Sequence, residues 1–403
     1  MKLSLPCNWD LALLEKTKEL PVYDFYGAMN TTPVGHARSA FIIPDVPEDT
    51  MRSFIEKAHE RGCKFSYVMN APNMANLEFD PQVHGKILEY LHWLVECGVD
   101  TVHVSNPYLM EVIREQFPQL AVNASVVCGI CSVDMAQEYE RMGVSTMNVG
   151  LESNRDFNAL RAIRKSVKVP LIIIPNLADL RNCPYRNYHY SILGYTTQQH
   201  HAAATWRSWA MDPCILQCNE RKLTTPVEIM KSCFIRPEDL HYYEKAGITI
   251  CKISGRHQNT EWIVRTATAY ANGSYRGNLI DILDTVIINT NHIQQLHMEF
   301  IGKSDPEILA VPEFYAWGTV NYNVSDVVQI DNTKLDGFIT HFVENGCNQT
   351  RICSECGHCE PWAERVITIN PELAERYLTV IRNHRKALRK SAFAVRTNIQ
   401  SSE

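Results

Sequence analysis

The 403-residue chain is 45% hydrophobic and 21% charged, an ordinary globular mixture that leaves no room for disorder as the main theme. A formal net charge of −6 provides no basic footprint, so sustained tracking along DNA is excluded. MKLSLPCNWD is not built like a signal peptide and no stretch reaches the roughly 18 apolar residues of a membrane span, so no membrane partner is expected and the chain is assigned to the cytoplasm.

In chain order, β-branched runs predict strands at KLSL, VYDFYG, KFSYVMN, TVHVSN, LAVNASVV, STMNVG, PLIIIPN and TICKISG. Between them, PEDTMRSFIEKAHERG, PQVHGKILEYLHWLVECG, NPYLMEVIREQFP, VDMAQEYERMG, NRDFNALRAIRKSV and RPEDLHYYEKAG carry helical patterns, several closing on Gly after a charged last turn. About eight strands alternating with helices imply a parallel sheet. The fold class is therefore α/β, a (β/α)8 TIM-type barrel over residues 1–280.

Active sites of such barrels assemble at the carboxyl ends of the strands. Those ends are polar here: Asn70, His103, Asn123, Asn148 and Asn176 are candidate substrate-binding residues, with Glu152 beside them as a catalytic candidate. Singly, such residues usually cap the next helix. As a set they describe a polar cavity at the barrel mouth.

One connection, residues 176–236, far exceeds the few residues of an ordinary βα loop, which marks a lid or a cofactor cradle. It carries Cys183, Cys214, Cys218 and Cys233. Structural disulfides do not persist in a reducing compartment, so four thiols in one loop point to a metal or iron–sulfur site, although their spacing matches neither zinc knuckles nor a ferredoxin run. Cys63, Cys97 and Cys251, in contrast, sit in apolar elements as small hydrophobes.

The stretch SCFIRPEDLHYYEKAGITICKISGRHQNTEWIVRTATAYANG resembles the segment that marks the U32 peptidase family, with Lys252, Ile253, Gly255 and Arg256 matching and Ser254 in place of the usual Glu. GVDTVHVSNPYLMEVIREQFPQLAVNAS resembles the family's upstream pattern, and the likeness spans about residues 60 to 275. Members include proteins that bind a 4Fe-4S cluster through four cysteines and take part in oxygen-independent hydroxylation or RNA modification. The resemblance implies Cys183, Cys214, Cys218 and Cys233 as cluster ligands, with Cys7 or a small molecule as substitute for Cys233. It also gives Lys252 and Arg256 a catalytic role; an Arg fork suits carboxylate or phosphate, so an anionic small-molecule or peptide substrate is expected.

The implied function is an iron–sulfur oxidoreductase or hydroxylase. Alternatives are a Cys- or metal-dependent peptidase, an RNA-modification factor, or a non-catalytic iron–sulfur scaffold. A redox partner or a second U32 protein are the expected macromolecular partners. The peptidase reading lacks an H-E-x-x-H helix.

Residues 281–403 form a C-terminal extension, with a helix expected over NLIDILDTVIINTNHIQQLHMEFIGKSDPEIL and another over PELAERYLTVIRNHRKALRK. Between them Cys347, Cys353, Cys356 and Cys359 give C-x5-C-x2-C-x2-C, a spacing that suits a second 4Fe-4S cluster, with zinc as the alternative.

Overall fold

The computed structural model describes residues 1–38, 43–199, 213–284, 324–348 and 350–389. Eight strands close into a barrel in sequence order: β1 (Lys2–Pro6), β2 (Val22–Gly27), β3 (Lys64–Met69), β4 (Thr101–Val104), β5 (Ala121–Ala124), β6 (Thr146–Asn148), β7 (Leu171–Ile173) and β8 (Ile250–Lys252). Every neighbouring pair is parallel, and β8 returns to β1 with Ser4 opposite Lys252. The expected (β/α)8 barrel is the observed fold, and all eight expected strands are its staves.

The helices follow from local chemistry. Asp80 accepts backbone N–H bonds from Gln82 and Val83 to start the helix Pro81–Glu96, and Asn106 caps Pro107–Gln116 in the same way, each ahead of a proline that fits the first turn. After Pro81–Glu96 the chain reverses at Gly98, whose φ of 83° is costly for any residue with a Cβ. Leu3, Phe25, Phe65, Val102, Val122 and Leu171 are fully buried, and Trp9, Phe25, Phe54 and Phe65 pack edge to face or tilted beside them.

Among the described residues, the long connection after β7 holds the helices Arg186–Thr196, Pro213–Thr224 and Val227–Lys231. It returns to the N-terminal half through a backbone bridge between Gln198 and Thr32. The extension contributes an antiparallel pair, β9 (Val328–Ile330) with β10 (Ile367–Ile369), and the closing helix Pro371–Arg389.

The helix expected from residue 278 onward is not what the described part of that segment forms. Leu279–Ile282 is a single 3-10 turn, after which Asp284 is extended and bridges Leu177. Residues 285–309 of that expectation lie outside the described residues.

Candidate functional site at the barrel mouth

Lys252 from β8 and His103 from β4 come from opposite sides of the barrel and meet inside it: Lys252 Nζ lies 3.3 Å from Nδ1 and 3.4 Å from Nε2 of His103. The same amine sits 3.9 Å from the centroid of the Tyr26 ring. His103 Nδ1 is 2.6 Å from Asn123 Oδ1, which makes Nδ1 the protonated nitrogen. Asn148 Nδ2 donates to the same oxygen at 2.6 Å, and Asn123 Nδ2 donates to Thr146 Oγ1 at 2.7 Å.

Burial decides the charges in this group. Desolvation pulls the Lys252 ammonium down to about 7, with Asp24 working against it and Arg256 adding to it. His103 falls well below its ordinary value because it is buried and because Lys252 stands beside it. At neutral pH the imidazole is uncharged and the amine is poised between its two forms, which is what proton transfer near pH 7 requires.

Arg256 is 6% exposed, and among the described residues its Nη1 has no hydrogen-bond partner. Desolvation holds it at about 10. Asp284, a carboxylate that Arg256 feels, is already engaged: its Oδ2 takes Arg38 Nη2 at 3.0 Å and the Ser254 hydroxyl at 2.6 Å, while Arg38 Nη2 also donates to Ser254 Oγ at 2.5 Å. The Ser254 proton is thus directed at Asp284 and not at a histidine, so Ser254, Asp284 and nearby His257 do not form a serine-peptidase relay. His36, fully buried, holds Nε2 3.1 Å from the carbonyl oxygens of Met29 and Asn30, and burial lowers it to about 3.

Two of the expected site residues are stitches in the scaffold. Asn176 receives Ser254 N at 2.7 Å and donates to Ser254 O at 2.9 Å, tying β7 to β8. Asn70 accepts Ala37 N and donates to Ser125 Oγ, both at 2.9 Å. Glu152 lies apart from Lys252, paired with Arg186 of the long connection at 2.9 Å.

Arg186 also reaches Asp179 at 3.4 Å, and two loop thiols, Cys233 and Cys218, lie near this acid. Cys233 Sγ donates to Leu177 O at 3.4 Å and to Asp179 O at 3.7 Å; burial first, then Asp179, pushes its thiol up to about 12. Cys218 is raised by burial and also feels Asp179 and Cys183, and Cys214 stands one helical turn before it. Thiolates in this loop would suit a thiophilic group in chemistry. Among the described residues, however, no three His, Cys, Asp or Glu side chains close into a ready metal cage. Cys7 is elsewhere, buried at the end of β1 with its sulfur accepting from Trp9 N at 3.3 Å.

Tyr26, Asp24, Arg38, His36, Asp284 and Asp179 were not singled out from sequence. Asp24 and Tyr26 had a usable signal, since they alternate along VYDFYG with the period that brings one face of a strand into a barrel. Arg38, Asp284 and Asp179 lie in irregular segments that meet only in the fold.

Comparison with known proteins identifies the family of the chain. The sequence profile described as Peptidase family U32 matches residues 37–173. An uncharacterized protease of Methanocaldococcus jannaschii is 30% identical over 341 residues, covering 83% of this chain and 86% of its own. Among solved structures, a U32 peptidase aligns over 63% of this chain and 92% of its own at 18% identity and a TM-score of 0.46. A 3-hexulose-6-phosphate synthase aligns over 68% of this chain and all of its own at 14% identity and a TM-score of 0.36. No helix among the described residues is long and apolar enough to cross a membrane. On the strength of the archaeal relative and the matching profile, the chain belongs to peptidase family U32.

Proposed function

We propose that the protein is an iron–sulfur enzyme that modifies an anionic small-molecule or peptide-borne substrate at the barrel mouth without molecular oxygen, by hydroxylation or a related change. The observation that carries the reading is Arg256, buried with an Nη1 that has no partner among the described residues, beside a Lys252–His103 pair in the same barrel end. Arg256 binds the substrate's carboxylate or phosphate; Lys252 takes or gives the proton; His103, held in one tautomer by Asn123, orients the amine. With water as the oxygen source, replacing C–H by C–OH releases two electrons and two protons, which leave to an external redox partner.

Cys183, Cys214, Cys218 and Cys233 would hold a 4Fe-4S cluster, which supplies one-electron chemistry when bound. Glu152 and Arg186 frame that end of the loop. A thiol-peptidase reading draws on one contact, Cys356 Sγ at 3.6 Å from His341 Nε2, which lies in the extension and away from the Lys252 pair.

Anaerobic purification with iron and sulfide counting tests the proposal. Cys218→Ala is expected to lose the iron and the visible absorption of the loop cluster together with activity. Hydrolysis of a casein probe by an iron-free preparation, abolished by Cys356→Ala, would replace this reading with the peptidase one.

A further inference from the structure

Cys347, Cys353, Cys356 and Cys359 line one recess between the extension and the root of the long connection. Arg155, Arg181, Lys231 and Arg351 line it too; Lys231 pairs with Glu228 at 3.5 Å and with the lining carboxylate Glu360 at 3.8 Å. Neutral thiols do nothing to offset the three guanidinium groups beside them. A metal group bound by four thiolates, which carries net negative charge, does.

The cations are held in place and are not loose surface charge. Arg181 Nη2 donates to Asn348 O at 2.5 Å and Cys347 O at 3.4 Å, and its Nη1 donates to Cys353 Sγ at 3.8 Å. Arg351 Nη1 donates to Gly346 O at 3.1 Å. Arg155 is 5% exposed, donates to the carbonyls of Met230 and Phe234, and keeps Nε without a partner. Its guanidinium stacks on Phe234, Phe338 and Phe342 at 4.8, 4.9 and 5.4 Å, which forms a dry wall behind the thiols.

All four thiols face one recess, and their spacing speaks for a cluster over a single zinc ion. The run Cys353-x2-Cys356-x2-Cys359, with Pro361 soon after and Cys347 apart, also matches the three-thiol run and distant fourth ligand of ferredoxin-type sites.

We propose that this recess binds a 4Fe-4S cluster through Cys347, Cys353, Cys356 and Cys359, with the Arg181 N–H···S bond and the Arg155 wall as its charge-compensating surround. The site stands whether or not the loop thiols bind a cluster of their own.

The full chain, purified anaerobically and reconstituted with iron and sulfide, provides the test. Cys353→Ala/Cys356→Ala is expected to lose about four iron and four sulfide per chain relative to the parent. Alkylation of the parent supplies a reading free of any folding defect: the peptide carrying Cys347 to Cys359 is protected when loaded and labelled after chelation. An unchanged iron count in the double variant, labelling that ignores chelation, or zinc in place of iron and sulfide would each overturn the cluster. If Cys218→Ala kept all its iron while the tail variant lost it, the loop reading would fall and this one would stand.

Discussion

Lys252 and His103 reach each other from β8 and β4 across the barrel, and the lysine amine lowers the proton affinity of the imidazole it touches. The pair leaves the buried imidazole uncharged at neutral pH and the amine beside it poised to take or give a proton.

That arrangement has a pH signature. The folded-state value of Lys252 is about 7, below its ordinary 10.5, so the unfolded chain binds more protons between those limits. Burial of the ammonium costs stability in full below pH 7, and the cost fades as pH rises toward 10.5. Urea unfolding of the parent against Lys252→Met should show the parent gaining about 1.4 kcal/mol per pH unit from pH 7 to 9. Turnover should rise through a limb near pH 7, and Lys252→Ala should lower it roughly a hundredfold.

Asp284 neutralises Arg38 in a buried site and takes the Ser254 hydroxyl as well. Asp284→Ala leaves the guanidinium without its counter-charge and is expected to cost roughly 3–5 kcal/mol, whereas Arg38→Met/Asp284→Leu should recover much of that. Equilibrium denaturation of the three proteins checks the order; equal losses in both variants would contradict it.

Arg155 joins the barrel to the extension by capping Met230 O and Phe234 O from beneath three phenyl rings. Arg155→Ala strands two carbonyls and hollows out the stack, a loss on the order of 3 kcal/mol. Limited proteolysis should then cut first within residues 338–359, and a lysine in its place, which cannot stack its charge over the rings in the same plane, should restore little.

Glu220, on the helix Pro213–Thr224, receives Arg382 at 3.3 Å and Arg385 from the closing helix. Since Arg382 is half exposed, Glu220→Ala should cost no more than about 1 kcal/mol in global stability. Hydrogen exchange should still quicken in Pro371–Arg389 ahead of the barrel, because that helix depends on this contact locally.

The barrel was legible because its signals are local: β-branched runs, helix-starting Asp and Asn, and glycine where φ turns positive after a helix. The mouth was half legible. Position at a strand end picked out His103, Asn123 and Asn148, which the fold links to one another beside Lys252, and also Asn70 and Asn176, whose amides tie strands together. Residues 278–284 have helical periodicity, yet Arg38 and Ser254 draw Asp284 into an extended pairing with Leu177. Such capture by distant side chains leaves no trace in a window of neighbours. The same holds for Arg155 and Arg181, which come from the barrel half of the chain to line the recess of the tail thiols.

The grip of Arg382 and Arg385 on Glu220 also sets an order of events in the cell. Ribosomes deliver the segment bearing Cys214 and Cys218 well before the final helix that braces it, so the excursion spends part of its synthesis without its clamp. Chains cut short ahead of Pro371 are therefore expected to keep the barrel and to emerge with the helix Pro213–Thr224 poorly seated.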